Sequence, residues 1–256
     1  MEVHHHSHTA DPDSHRGRKK WTHYFWEFFM LFLAVTAGFF VENQREHYIE
    51  HLRARQYALS LADDLKQDTA AFRRLRELYA LNVQKADILS SLIKNKSLSR
   101  IPGGTLYYYG DIVRWVNVMT FHDATIQQLK NSGNLRYFSA ELQNMISEYD
   151  RRSREISTRQ ENELYFSRIA REMMYEIFDA EQMLAVKNLS NASDIENYIQ
   201  KDIKLITKDT LPIRKFLNEI IYRKEAWEYR TQEIIVPAYN AAIELLAEIT
   251  EQYHIK

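Results

Sequence analysis

The chain has no cysteine, and glycine and proline are scarce, at 6 and 4 among 256 residues. The first absence excludes disulfides, thiol catalysis and metal centres held by thiolates. It leaves the compartment open, because a cysteine-free chain tolerates oxidising and reducing surroundings alike. The second points to long helices with few interruptions, since these two residues are the usual breakers. Neither charge is in excess, with 34 Lys+Arg against 35 Asp+Glu. Nothing of that kind draws a chain to a phosphate backbone, so no nucleic-acid partner is expected. The familiar catalytic signatures are missing as well. There is no glycine-rich phosphate loop, no serine nucleophile elbow and no kinase motif set.

What stands out is one apolar run, Trp21 to Val41. As a helix these 21 residues would be about 31 Å long, the thickness of a bilayer's hydrocarbon core. Its ionisable residues, His23 and Glu27, fall in the first third. Trp21, Tyr24, Phe25 and Trp26 cluster where an interfacial aromatic belt sits. The run has no polar face, unlike a helix on the surface of a globular domain. A membrane span is therefore expected over 21–41. A cleaved leader ending at Val35-Thr36-Ala37 fits less well, because it would have a very short apolar core and leave Phe39-Phe40-Val41 at the new terminus. Lys/Arg precede the span at 16, 18, 19 and 20 and follow it at 45, 53 and 55. That slight bias favours a cytoplasmic N-terminus and an extracytoplasmic C-terminal domain.

Glu27 shares a helix face with Leu31, Ala34 and Gly38. Ala34 and Gly38 form a small-xxx-small pair that lets two spans approach closely. One reading puts Glu27, Ala34 and Gly38 in an interface between spans. The other has Glu27 reaching the headgroup zone, where a carboxylate is tolerated.

Residues 1–20 carry no apolar pattern and read as a disordered tail, whose His4, His5, His6 and His8 could hold a metal ion without any function attached. Beyond the span, a heptad seam takes Ala58, Leu65, Phe72, Tyr79, Ala86 and Ile93 at one position. It takes Leu61, Asp68, Leu75, Asn82 and Leu89 at the other. Such a seam predicts a helix packed lengthwise against others and ending near Asn95. Pro102, Gly103 and Gly104 predict a turn. Residues 111–121 read as helix, because no second strand is available for pairing. A short helix is expected over 124–131, capped by Asp123, and a very long one from a Ser139 cap to about Lys187. Between Asp150 and Glu163 its only apolar residue is Ile156, so that part reads as solvated, a hinge or a polar partner surface. Ser193 or Asp194 should cap the next helix. The last helical segment, 212–253, should bury Phe216, Ile220, Trp227, Ile234, Ala241, Leu245 and Ile249, with an interruption at Pro237.

His47, Glu50 and His51, in "HYIEH", match the H-x-x-E-H pattern of inverted zinc proteases. Two histidines at i and i+4 share a face, and the glutamate could polarise a zinc-bound water. A zinc site also needs a third ligand and a closed pocket, and the pattern lies in a charge-rich stretch just past the span, so a solvated helix is the preferred explanation. Tyr107, Tyr108, Tyr109 and Trp115 read as packing over helix ends rather than as a ligand box.

The stretches "WEFFMLFLAVTAGFFVENQREH", "YALSLADDLKQD" and "TIQQLKNSGNLRYF" together resemble an uncharacterised family of bacterial single-pass membrane proteins. That family shows an "EF-x-M-x-FLAV" span with an early glutamate, an "EN-x-RE" exit and a helical remainder. The likeness covers the first 70 residues best and Leu129–Leu135 second. It implies bacterial origin, membrane anchoring and a glutamate at position 27 as a family feature. It brings no activity, substrate or catalytic residue.

The expected fold is thus all-α: a tail (1–20), a transmembrane helix (21–41) and a long-helix, antiparallel, coiled-coil-like bundle (42–256). The expected role is a non-enzymatic scaffold or interaction protein of the bacterial inner membrane. No cofactor and no small-molecule substrate are expected. Its partners would be the membrane and another protein or a second copy of the chain. Two other readings stay open. One is a sensor-type ligand-binding bundle acting through a partner. The more remote is a zinc hydrolase at His47, Glu50 and His51.

Overall fold

The computed structural model describes residues 16–114 and 116–255, with side chains from residue 21 onward. His4, His5, His6, His8 and Trp115 lie outside the described residues. All regular structure among the described residues is helical. The chain divides into two compact units, Met1–Arg53 and Ala54–Lys256, and helix α1 (Arg16–Asn95) contributes to both.

In the first unit, residues 16–20 are already helical, so the expected tail ends sooner than the composition suggests. Every residue from 21 to 48 is exposed. The helix is long and apolar enough to cross a membrane, and its most apolar window is 0% buried.

In the second unit, α1 places its heptad seam in the core. Ala58, Leu61, Leu65, Phe72, Leu75, Tyr79, Ala86 and Leu89 are all buried, and so is Asp68 at 1% exposure. Asn82 and Ile93 are half-buried. The helix stops at Asn95, with Lys94 in its last turn where a cation complements the helix dipole.

Pro102-Gly103-Gly104 does not form a free turn. It opens α2 (Gly103–Gly110), whose backbone lies against the chain around and just after α6 (Ala192–Ile199). A Cβ on Gly103 would sit 1.6 Å from the Ile203 carbonyl oxygen, and one on Gly104 would sit 2.1 Å from that of Tyr198. The Gly104 N–H donates to the Lys201 carbonyl at 3.0 Å. The two glycines serve close approach of backbones.

The helix expected over 111–121 is not formed. One 3-10 turn spans Asp111–Val113, and 116–123 has no regular structure. The reason is topological. Asp68 of α1 bonds Tyr149 of α4 (Ala140–Tyr175), and Tyr79 bonds Glu163 further along both helices, so α1 and α4 run parallel. The bundle is therefore not antiparallel throughout. The chain must return along α4 from the level of Ser167 to that of Tyr149, which is about 27 Å of helix, between Val113 and His122. Nine residues reach that far only when extended, at about 3.3 Å each; as a helix they would cover about 14 Å.

Helix α3 (Ala124–Asn131) forms where expected, although the Asp123 side chain makes no capping bond. Gly133, at φ 70°, turns the chain after it. Ser139 caps α4, its Oγ accepting from the Leu142 N–H. The long helix expected to reach Lys187 breaks after Tyr175. Phe178 turns inward onto Tyr107 and Phe216, with ring centroids 4.9 and 5.3 Å apart. Asp179 then caps α5 (Ala180–Lys187). Asn191, rather than Ser193 or Asp194, caps α6, accepting from the Asp194 N–H.

The last segment is α7 (Thr210–Arg230) and α8 (Val236–Gln252), joined by a π-helical turn at Thr231–Ile235. Pro237 is the local cause. It has no N–H to give the preceding turn, and its ring crowds the carbonyl four residues back. The wider turn shifts the inward face, so Ala238 and Ala242 are buried while Ala241, expected inside, is half-buried. Together α7 and α8 run antiparallel to α4, with Arg230 at Glu163 and Tyr253 against Phe138.

Gly104→Ala should shift the Ile199–Ile203 backbone or expel α2, costing roughly 3 kcal/mol or more. Thermal unfolding followed by circular dichroism reads this directly; an unchanged midpoint would show that α2 does not depend on the close approach.

Candidate functional site

The middle of α4, whose polar composition suggests solvent, is instead an interior stripe. Asp150, Ser153, Ile156, Gln160, Glu163 and Ser167 are all buried. Their spacing of three and four residues places them on one helix face. The residues between them take the outer face, where Arg151 pairs with Glu148 at 2.8 Å and Arg159 with Glu155 at 2.9 Å. This alternation was the signal available in the sequence. The helix is amphipathic with a polar inner face, and a search for apolar stripes passes over it. Phe166, an aromatic residue of the same helix, is 53% exposed.

Each interior group has a partner. The Asp150 carboxylate accepts from Lys130 of α3 at 2.7 Å and pairs with Arg154 at 2.8 Å. The Gln160 side-chain amide bonds both the N–H and the carbonyl of Met119, pinning the extended return segment as a neighbouring strand would. Asp68 of α1 accepts from the Tyr149 hydroxyl at 2.5 Å and from the His122 N–H at 3.1 Å, and its Oδ1 lies 2.8 Å from His122 Nδ1. Burial, and then the Asp68 charge, pushes the Tyr149 hydroxyl far above the ordinary tyrosine value. The Glu163 carboxylate accepts from the Tyr79 hydroxyl at 3.0 Å and pairs with Arg230, the last residue before the π turn. Burial, then Glu163, likewise pushes Tyr79 up.

The Glu163–Arg230 pair stands between two cavities. One, of about 100 Å³, lies between α4 and α7 and includes Phe166, Tyr222, Arg223 and Trp227 in its lining. The other, of about 20 Å³, is lined by Leu75, Tyr79, Gln160 and Ile234 among others. A larger open groove of about 480 Å³ runs between α1 and the return segment 116–120, with Arg74, Leu78 and Val118 on its walls.

The residues singled out in the sequence lie elsewhere, in the first unit. Glu27 and His23 form an i, i+4 pair at 3.2 Å on the exposed helix, and a Cβ at Gly38 would meet open space. Ala34 is exposed on the same face. His47 and His51 both face solvent, and His47 lies 3.8 Å from Glu50. Among the described residues no group of three His, Asp or Glu side chains is placed to hold a metal ion. Tyr107 is core: its hydroxyl donates to the Lys204 carbonyl at 3.2 Å and accepts from the Asp179 N–H at 2.8 Å. Tyr108 and Tyr109 are half-buried beside it. Comparison with protein-family models, curated proteins and solved structures finds no match to this chain.

The buried tyrosines make the bundle sensitive to alkali. Burial pushes Tyr198 up to about 12, and Tyr79, Tyr107 and Tyr149 also rise. A group whose folded value exceeds its unfolded one stabilises the fold fully below the unfolded value, about 10, and loses that contribution as pH climbs through the folded value. The melting temperature should therefore hold to about pH 10 and fall steadily toward about pH 12. A midpoint unchanged over that window would contradict the burial of these hydroxyls.

Proposed function

We propose that this chain is a membrane-anchored helical scaffold of the bacterial inner membrane, without catalytic activity of its own. The N-terminus lies in the cytoplasm and the bundle outside it. The observation that supports the reading most is the apolar window of α1, which is 0% buried. A core helix of a globular protein buries such a window, whereas here Trp21, Phe28, Leu31, Phe39 and Val41 point outward on all sides. A surface apolar all the way round is matched by lipid. In this reading Trp21, Tyr24 and Trp26 sit at the headgroup level.

In the lipid, the face carrying Glu27, Ala34 and Gly38 meets a second span. Gly38 and Ala34 let two backbones close up, and Glu27 gains a hydrogen-bonded partner in place of an isolated carboxylate in hydrocarbon. Metal chemistry at His47, Glu50 and His51 is the remote reading, because the two histidines face solvent.

In cells expressing the full chain, the protein should stay in the membrane fraction after alkaline carbonate extraction. Protease added to spheroplasts should digest the bundle and spare the N-terminus. Release by carbonate would remove the anchor, and a protected bundle would reverse the orientation. Separately, Glu27→Leu and the pair Ala34→Ile, Gly38→Ile should abolish recovery of a co-purifying span, whether a second copy or another protein, at unchanged expression. Recovery identical to wild type in both variants would sink the helix-face interface while leaving the anchor intact.

A further inference from the structure

The extended return segment is satisfied along one edge and bare along part of the other. The Met119 N–H and carbonyl both bond the Gln160 amide of α4. In an extended chain the N–H and carbonyl of one residue share an edge, and those of its neighbours point to the opposite edge. The backbone groups of Val118 and Thr120 therefore point away from α4. The side chains alternate as well, with Met119 buried between exposed Val118 and Thr120. The His122 N–H belongs to the second edge, and it bonds Asp68 of α1 at 3.1 Å. That edge thus runs along α1, and ahead of His122 it borders the open groove of about 480 Å³. Val118 and Thr120 both line the groove, and among the described residues their N–H and carbonyl groups have no hydrogen-bond partner.

A bare strand edge is a template for another strand. A strand added there would lie about 4.8 Å from the return segment, inside the groove. The opposite wall offers Ala71, Leu75 and Leu78 of α1 to apolar side chains. Arg74 stands on the same wall without an ion pair among the described residues, and no carboxylate lines the groove. A guanidinium so placed selects an acid. The matching segment of a second copy does not fit, because Gln160 holds one of its edges and α1 runs along the other. We infer that the groove binds an extended peptide of a partner protein by strand addition, one carrying an acidic side chain among apolar ones. Its backbone bonds Val118 and Thr120, its acid meets Arg74, and its apolar residues pack on Leu75 and Leu78. The site extends the scaffold role to a partner contact within the second unit and does not depend on the span.

The test selects phage-displayed random heptapeptides on the full chain in detergent micelles. Enriched sequences should carry Asp or Glu among alternating apolar residues. The best of them, made synthetically, should bind with Kd of about 100 µM or tighter by fluorescence anisotropy. Methylating its backbone nitrogens one at a time should weaken binding about tenfold at alternate positions and little between them. Recognition of side chains alone gives no such alternation. Arg74→Gln should weaken binding about fivefold. Val118→Pro removes the edge donor and leaves Met119 its bonds to Gln160, so it should abolish binding at an unchanged circular dichroism spectrum. The methylated peptides and Arg74→Gln, at an exposed position, keep the test independent of how Val118→Pro folds. No enriched sequence, enrichment of basic sequences, the same effect at every methylated position, indifference to Arg74→Gln, or binding that survives Val118→Pro would each overturn the assignment. So would a dimer, seen by sedimentation, that Val118→Pro dissociates, which would give the edge to a second copy.

Discussion

A carboxylate buried at 1% exposure has to be satisfied where it stands, and Asp68 is satisfied by three groups at once. The Tyr149 hydroxyl reaches it from α4, and the backbone and ring of His122 reach it from the end of the return segment. None of the three can slide without leaving a charged acceptor unmade in the interior, a loss comparable to a large fraction of a domain's net stability. The contact therefore fixes the register of α1 against α4. It also fixes where the extended segment ends and α3 begins. Further along, Gln160 with Met119 and Glu163 with Tyr79 and Arg230 repeat the device, so the parallel pair of helices is pinned at successive levels.

The same polar stripe explains what could be read in advance and what could not. The seam of α1 was legible because its buried positions are apolar at heptad spacing, and Asp68 and Asn82 were visible as its polar exceptions. Ser139 and Pro237 were legible because caps and proline act through their own backbone. The centre of α4 was not, since hydrophobic periodicity asks which residues avoid water. The inner face there is made of Asp, Ser, Gln and Glu, which avoid water only because partners from distant parts of the chain satisfy them. Lys130, Met119 and Arg230 supply those partners from 20, 41 and 67 residues away. No local window contains both halves of such a bond.

Topology was the second blind spot. Long helices and few breakers suggested an antiparallel bundle, the arrangement that short connections make natural. A parallel α1 and α4 need a return path instead. The chain provides it cheaply in residues by staying extended, and Val116 and Val118 suit that conformation by their branching. The backbone groups of an isolated extended segment lack a sheet to pair with. The Gln160 amide and the Asp68 carboxylate stand in for the missing strand. Sequence reasoning that looked for a second strand found none, because the partner is a pair of side chains.

The π turn at Thr231–Ile235 ties this architecture to the site chemistry. It follows Arg230 directly, and wide turns of this kind recur beside functional side chains because they re-aim a helix by a fraction of a turn. Without it, the inward face of α7 would continue into α8 at a constant angle. With it, Arg230 faces Glu163 while Ala238 and Ala242 present small side chains to α4, which lies along α8. Close approach of those helices narrows the interior beyond the turn. On the other side of it, the bulk of Trp227 and the outward aromatics Phe166 and Tyr222 leave the space in which the Arg223 guanidinium stands. The cavity thus lies on the α7 side of the turn, and the close approach of α8 to α4 lies on the other.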